Sequence, residues 1–182
     1  MLKLLKGCSL CLTLVILLFA AHAGVQQFLG NFHEVIPGEL YRSGQPTAQA
    51  LARYQKDHGV RTILNLRDEE RGAWYQEEKR AAAALGIRLV DYPVSARGLD
   101  VAEAERLAML MAGLPKPLLI HCEHGANRTG LASAIYLDAV AKRSDAVASR
   151  QLSPYYGHVP IKGLGRYALY KSYRDFQEAS DM

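Results

Sequence analysis

The chain has 182 residues, a length that suits one domain with a full hydrophobic core and leaves too little for two. Hydrophobic residues make up 49% and charged residues 22%, as in an ordinary globular protein, and no internal repeat or low-complexity tract is visible. The formal net charge is +4. Lysines near the N-terminus and charged residues on a solvated surface explain this charge better than a nucleic-acid-binding face does. We therefore expect one globular domain that does not bind nucleic acid.

Residues 1–23 are predicted to be a targeting segment. Lys3 and Lys6 form a positive region, residues 10–20 form an apolar core, and Ala21-His22-Ala23 is a cleavage signal of the Ala-x-Ala kind. The uncharged stretch that contains this core is also close to the short limit for a membrane span. A cleaved signal peptide and an N-terminal membrane anchor therefore both remain open.

In either case the lysines stay inside, and residues 24–182 are expected to be exported as a single domain. The domain is then periplasmic or extracytoplasmic, either soluble after cleavage or anchored to the inner membrane. Cys8 and Cys11 lie in the leader, so Cys122 is the one thiol of the exported domain and no disulfide is possible within it. An unpaired thiol in an oxidising compartment is a chemical liability, which indicates that Cys122 is used.

Beyond the leader, short strands alternate with helices. Apolar and β-branched runs bounded by Gly and Pro predict strands, and runs rich in Ala, Glu and Lys predict helices. This alternation predicts an α/β fold with a central, mostly parallel or mixed sheet of four to five strands and helices on both faces. The predicted strands are 35–36, 40–41, 60–66, 87–94 and 118–121, and the predicted helices are 46–58, 69–85, 100–112, 129–140, 145–152 and 164–176.

The segment from His121 to Gly130 follows a buried strand and precedes a buried helix. A strand, a tight loop that contains Gly125, and a helix that starts near Arg128 leave several backbone N–H groups unpaired. These groups point into the concavity of the loop. The sequence therefore predicts an anion-binding cradle.

Cys122 opens this loop and Arg128 closes it, with five residues between them. A thiol beside a helix N-terminus and a guanidinium favours the thiolate, which is the nucleophilic form. The planar fork of Arg128 can hold two oxygens of a phosphoryl group, which Lys cannot do bidentately. Nucleophile and phosphate clamp thus lie in one loop.

Other interpretations of the same loop are weaker. Cys122 could be a small buried hydrophobic residue, but the flanking Gly125 and Arg128 argue against that. A structural zinc site built on His121, Cys122 and His124 needs a fourth ligand, and no second Cys/His pair stands at usable spacing. The loop also lacks the Gly-Lys-Ser/Thr of a nucleotide-binding Walker loop.

The His-Cys, five-residue, Arg-Thr-Gly pattern resembles the signature loop of the cysteine-dependent protein tyrosine and dual-specificity phosphatase family, above all its small bacterial members. The likeness extends upstream to Asn31-Phe32-His33 and Leu40-Tyr41-Arg42-Ser43-Gly44-Gln45-Pro46, and downstream to about Arg174. It implies a tyrosine-phosphatase-like sandwich that hydrolyses phosphotyrosine, phosphoserine or phosphothreonine of proteins, or small phosphoesters, through a cysteinyl-phosphate. No metal or organic cofactor is implied.

The resemblance also assigns roles. Cys122 is the nucleophile, Thr129 aids departure of the thiolate, and His121 orients the loop without touching substrate. The phosphate oxygens are held by Arg128 and by the backbone N–H groups of Glu123, His124, Gly125, Ala126, Asn127 and Arg128.

The general acid is less clear. The loop 95–99 is expected at the same sheet edge as the Cys122 loop, where open α/β sheets bind ligands, and Asp100 ends it. Asp100-x-x-Glu103 is also a capping-box start, which explains Asp100 without catalysis. Asp91, inside the preceding strand, is the weaker candidate for the general acid. It also remains open whether any Asp serves as the general acid.

Three alternatives to a protein phosphatase remain. An inositol-phosphate phosphatase would use the same loop with a more basic cleft, a catalytically weak module would only bind phosphate, and a rhodanese-type sulfur transferase fits the Arg-Thr-Gly start poorly. Arg42, Arg67 and Arg97 either line an anionic pocket or serve as surface cations and struts. Residues 155–158 either frame the cleft or form an ordinary packed turn.

Overall fold

The computed structural model describes residues 13, 21, 24–26, 28–67, 72–163 and 166–180. Most of the predicted targeting segment lies outside these residues, as does the predicted helical stretch 69–71. Within the described residues, no helix has both the length and the apolar character needed to cross a membrane.

The described residues form a sheet with helices packed around it. The strands are β1 (His33–Ile36), β2 (Leu40–Ser43), β3 (Thr62–Asn65), β4 (Arg88–Asp91) and β5 (Leu118–His121). The α-helices are α1 (Ala48–His58), α2 (Ala73–Ala84), α3 (Val101–Gly113), α4 (Arg128–Ile135), α5 (Asp145–Ala148) and α6 (Tyr167–Ser180). A π-helical turn (Tyr136–Val140) follows α4, and two 3-10 turns (Ser149–Leu152 and Pro154–Tyr156) follow α5.

The five strands are ordered β1-β2-β5-β3-β4. β1 is antiparallel to β2, and the other neighbours are parallel, so the predicted mixed sheet is confirmed. β5 lies between β2 and β3, and His121 at its carboxyl end pairs with Ser43 and Asn65. The loop that follows β5 therefore leaves the sheet at its middle, where parallel sheets bind ligands.

Helices cover both faces of the sheet, as predicted, because the side chains of β5 alternate between two hydrophobic cores. Ile120 and Cys122 point into a core that includes residues of α3, α4 and α6. Leu119 points into the opposite core, which includes residues of α1 and α2. Cys122 and its neighbour His121 consequently lie on opposite sides of the strand.

Several predicted boundaries are corrected. The predicted helix 100–112 begins at Val101, because Asp100 stands outside it as the N-cap. The predicted helix 129–140 changes into the π-helical turn at Tyr136, although its apolar pattern runs on unchanged. The predicted strand 87–94 shortens to Arg88–Asp91, while later N–H groups of the segment still donate to carbonyls of 65 and 66.

Candidate active site

Cys122 lies at the carboxyl end of the central strand and is only 3% exposed. Arg128 begins α4 and is 6% exposed. Both line one small pocket of about 20 Å³, together with Glu123, His124, Asn127 and Arg166. The structure thus brings the predicted nucleophile and the predicted phosphate clamp to the same pocket.

Gly125 allows the loop to turn tightly against β2. Its φ angle is +69°, in the left-handed region that glycine adopts without the strain a side chain would add. A Cβ atom there would lie 2.5 Å from the backbone nitrogen of Gly44 and 2.6 Å from the carbonyl carbon of Ser43. Since both are main-chain atoms, no side chain fits without moving the loop or β2.

Two residues that flank the β1–β2 hairpin hold the Cys122 loop through hydrogen bonds: Asn31 before β1 and Gln45 after β2. The backbone N–H of Gln45 donates to the carbonyl of Glu123 at 3.0 Å. The side-chain amide of Asn31 donates to the carbonyls of His124 and Tyr156, each at 3.0 Å. These two hydrogen bonds from the fully buried Asn31 tie the loop to the turn at Tyr156.

Arg42 is a strut behind the loop rather than a cation of the pocket. It is fully buried, and its Nη2 donates to the carbonyl of Gly125 at 2.7 Å. Its Nη1 donates to the side-chain oxygen of Gln151 at 2.7 Å, and its guanidinium lies 3.8 Å from the centre of the Tyr156 ring. Burial lowers the pKa of Arg42 to about 10, so it remains charged at neutral pH.

The turn at 155–158 also braces the loop. His158 is fully buried, and its Nδ1 lies 2.8 Å from the side-chain oxygen of Asn127. Burial lowers the pKa of His158 to about 4, and the charges of Arg42 and Arg166 act in the same direction. A neutral ring therefore donates to Asn127 from Nδ1.

His121 supports the loop from the opposite face of the sheet. It is fully buried, with Nδ1 3.4 Å from the carbonyl oxygen of Cys122. Its Nε2 lies 2.7 Å from a carboxylate oxygen of Glu78, which is itself buried on α2. Glu78 was not predicted from the sequence, although its spacing to Tyr75 and Ala82 places it on the buried face of α2.

The candidate acids occupy different surroundings. Asp100 is exposed and one carboxylate oxygen accepts from the N–H of Glu103 at 2.7 Å, while the Glu103 carboxylate accepts from the N–H of Asp100. Asp91 accepts from the amide of Asn65 at 2.9 Å and from the hydroxyl of Tyr75 at 2.6 Å. Neither lines the Cys122 pocket, so the acid role of Asp100 stays a prediction.

Thr129 and Arg67 also contact the frame of the loop. The Thr129 hydroxyl is fully buried and donates to the carbonyl of Ser43 at 3.5 Å, so its role at the sulfur stays a prediction. Arg67 donates to the side chain of Gln45 at 3.0 Å and stacks on Trp74 at 3.6 Å. Through these contacts, Thr129 and Arg67 support the segments around the Cys122 loop.

Arg166 lines the Cys122 pocket and was not predicted from the sequence. It immediately precedes α6 and is exposed, inside a segment that was expected to be helical. Its place beside the Cys122 loop is visible only in the three-dimensional structure, because no local sequence pattern indicates it.

Among the described residues, no group of three or more His, Cys, Asp or Glu side chains is placed to hold a metal ion.

Comparison with known proteins agrees with this geometry. Residues 23–159 match the family described as a DSP-PTPase phosphatase fused to NAD+ kinase. The chain belongs to this family. It is also similar to the dual specificity protein phosphatase TpbA of Pseudomonas aeruginosa strain UCBPP-PA14, with 32% identity over 108 residues. That match covers 58% of this chain and 45% of TpbA, so it spans less than half of the relative.

Solved structures share the fold. A cysteine-to-serine variant of P. aeruginosa TpbA in complex with pTyr aligns with a TM-score of 0.62 and 25% identity, over 80% of this chain and 83% of that chain. PTPMT1 aligns with a TM-score of 0.61 over 82% of this chain and 98% of that chain, at 14% identity. The second likeness shows the fold alone.

Proposed function

We propose that this protein is a cysteine-dependent phosphatase that hydrolyses phosphomonoesters through a cysteinyl-phosphate. The observation that carries the proposal is the shared pocket of Cys122 and Arg128 at the carboxyl end of the central strand. Membership of a phosphatase family supports it. A phosphate-binding module without turnover would not need a thiol at this position.

In the first step, the Cys122 thiolate attacks phosphorus and the bond to the leaving oxygen breaks. The backbone N–H groups of Glu123 to Arg128 and the guanidinium of Arg128 hold the three equatorial oxygens, where negative charge is concentrated. In the second step, water attacks the phosphorus of cysteinyl-phosphate, and phosphate and thiolate are released. The braces from Arg42 and Asn31 keep the loop in this geometry before substrate arrives.

A general acid must protonate the leaving oxygen, and we propose Asp100 for this role. It ends the loop that follows β4, at the sheet edge from which the Cys122 loop also leaves. The side chain is exposed and its cap uses one oxygen, so the other can carry a proton. Asp91 is less suited because both of its oxygens already accept hydrogen bonds.

We propose phosphorylated proteins as substrates, with phosphotyrosine among them. The dual-specificity description of TpbA and the pTyr complex of its variant support this assignment. We further propose that residues 1–23 export the domain, as a cleaved signal or as an anchor, on the strength of the sequence pattern. N-terminal sequencing of the protein recovered from the cell envelope separates the two forms.

The test is turnover of 4-nitrophenyl phosphate by the purified, reduced protein in the presence of a chelator. We expect turnover in the wild type, a loss of activity to background in Cys122→Ser, and a large rise in KM with a fall in kcat in Arg128→Ala. Arg106→Gln, an exposed arginine of α3, is the matched control and keeps full activity. Turnover that persists in Cys122→Ser contradicts the proposal.

A further inference from the structure

A second pocket lies between the segment before β1 and the start of α1. Phe28 and Leu29 line it on one side, and Pro46, Ala50 and Tyr54 line it on the other. Its volume is about 320 Å³, which is in the range of ligand-binding pockets. We call it the Tyr54 pocket, and the proposed mechanism does not use it.

The Tyr54 pocket adjoins the Cys122 pocket through Gln45. The Gln45 side of the Tyr54 pocket carries a backbone N–H that donates to the carbonyl of Glu123 at 3.0 Å. Glu123 in turn lines the Cys122 pocket. Residues of the two pockets are therefore in direct contact, and one extended peptide can reach into both.

The rim of the Tyr54 pocket presents apolar surface to solvent. Phe28 is 90% exposed and Leu29 is 63% exposed, whereas Pro46 and Ala50 are buried on the other side. Large apolar side chains that stay exposed beside a pocket are typical of a surface that a binding partner covers. The walls of the pocket are thus suited to an apolar side chain.

The Tyr54 hydroxyl is a polar group of this pocket without a partner in the protein. Tyr54 is 7% exposed, and its ring stacks on Phe32 with the ring centres 4.0 Å apart. Among the described residues, none forms a hydrogen bond with this hydroxyl. A Cβ atom at Gly30, which also lines the pocket, would lie 3.7 Å from it. A buried tyrosine hydroxyl normally has a hydrogen-bond partner, and here a ligand can supply one.

This hydroxyl is available as a donor at neutral pH. Burial raises the pKa of Tyr54 above its ordinary value of 10.0, although the charge of Arg53 acts in the opposite direction. The hydroxyl therefore keeps its proton and can donate it to a peptide carbonyl.

We propose that the Tyr54 pocket binds an apolar side chain that flanks the phosphorylated tyrosine of a protein substrate. The inference rests on the proposed function and deepens it, because it names what the substrate carries beside its phosphate. The walls remove the apolar side chain from water, and the Tyr54 hydroxyl donates to a backbone carbonyl of the same peptide.

Arg53 sets a second condition on the flanking residue. It is exposed, lines the Tyr54 pocket, and acts on the Tyr54 hydroxyl through its charge. None of the described residues that line this pocket is acidic. A Lys or Arg side chain of the substrate is therefore repelled, whereas Leu or Phe is accepted.

The experiment uses phosphotyrosyl peptides in which one Leu is moved through the flanking positions of an otherwise Ala- and Ser-rich sequence. We expect Leu at one of these positions to raise kcat/KM about tenfold over the peptide with Ala there. Lys at the same position should give a lower kcat/KM than Ala does. Equal kcat/KM for the Leu, Ala and Lys peptides at every position overturns the proposal.

Variants of the pocket locate the preference. Phe28→Ser and Leu29→Ser should reduce the gain from Leu, and Tyr54→Phe, which keeps the ring, should lower kcat/KM for the Leu peptide about fivefold. Met109→Ser is the matched control, because Met109 is a 67% exposed apolar residue of α3 that does not line this pocket. A Leu preference that survives in Phe28→Ser and Leu29→Ser overturns the proposal.

A small substrate distinguishes a binding pocket from a merely structural element. 4-Nitrophenyl phosphate has no flanking residue, so its kcat/KM should stay within about twofold of the wild type in each variant. Losses of equal size on 4-nitrophenyl phosphate and on the Leu peptide show that the variants disturb the catalytic loop, and they overturn the proposal.

Vesicles of phosphatidylethanolamine and phosphatidylglycerol separate substrate binding from contact with a membrane. Exposed apolar side chains such as Phe28 and Leu29 can also insert between lipids. If Phe28→Ser and Leu29→Ser weaken vesicle binding but leave the Leu preference intact, the proposal is overturned. A reduced Leu preference supports it, whatever the vesicles show.

A binding measurement keeps this inference separate from the proposed function. Fluorescence anisotropy of labelled phosphotyrosyl peptides with Cys122→Ser requires no turnover. Tighter binding of the Leu peptide than of the Ala peptide, lost in the Cys122→Ser, Leu29→Ser double variant, supports the pocket even if the wild type proves inactive. Equal affinity of Cys122→Ser for the two peptides contradicts it, even if the wild type is an active phosphatase.

Discussion

At the scale of single residues, the site divides into groups that a local pattern predicts and groups that it does not. Cys122 and Arg128 were predicted because one short segment contains them both. Glu78 contacts His121, and Asn31 reaches the carbonyl of His124, 93 positions away in the chain. Such contacts depend on which strands are neighbours in the sheet, so no local spacing predicts them.

Gly125 offers the sharpest test at this scale. Gly125→Ala places a Cβ against the backbone of β2, and we expect activity to fall by about 100-fold or more because the loop must shift. Gly38→Ala is the matched control, since Gly38 has the same φ of +69° but no atom within 4 Å of its Cβ position.

Gly38→Ala should lose about 1 kcal/mol of stability through its positive φ and keep its activity. Steady-state kinetics and urea unfolding of both variants measure the two effects. If Gly125→Ala is as active as Gly38→Ala, the close approach of the loop to β2 does not matter.

At the scale of elements, Asp100 has two possible roles that the sequence left open, helix N-cap and general acid. The capping box of α3 is present, so Asp100 has a structural role in any case. The acid role can be tested separately from the capping role because Asn is as good an N-cap as Asp.

The positions of strands and helices could be predicted from Gly, Pro and apolar patterns. The π-helical turn at Tyr136 could not, because the apolar pattern does not change there.

Asp100→Asn should keep the stability of the wild type within a few tenths of a kcal/mol and lower kcat by about 10²- to 10⁴-fold. Asp100→Ala should lose the same activity and also about 1 kcal/mol of stability. Chemical unfolding and kcat across pH, measured on both variants, resolve the two roles. Full kcat in Asp100→Asn would leave Asp100 a helix cap alone.

At the scale of the whole molecule, buried polar residues connect the catalytic loop to distant parts of the chain. The layers of the fold were predictable from alternating strands and helices, but the place of β3 between β4 and β5 was not, because strand order depends on packing. The turn that carries His158 lies behind the loop for the same reason. His158 is fully buried and bonded to Asn127, so we expect its charge state to affect the stability of the whole fold.

Acid should destabilise the protein through His158. Its pKa is about 4 in the folded protein, below the ordinary 6.5, so the unfolded chain takes up this proton first as the pH falls. The stabilisation is fully present above about pH 6.5 and is lost as the pH falls towards 4, with about 2 kcal/mol lost by pH 5.

His158→Asn keeps a donor near Nδ1 and should remove this part of the pH dependence, as measured by urea unfolding at about pH 7.5 and about pH 5. His58→Gln, at the half-buried end of α1, is the control and should retain it. An unchanged pH dependence in His158→Asn would show that another group is responsible.

The covalent intermediate is the most direct test of the proposed mechanism. The protein is mixed with ³²P-labelled phosphotyrosyl peptide, quenched rapidly into denaturant, and the labelled position is located by peptide mapping. We expect phosphate on Cys122 in the wild type and none in Cys122→Ser. Turnover without label on Cys122, or label on another residue, would contradict the mechanism.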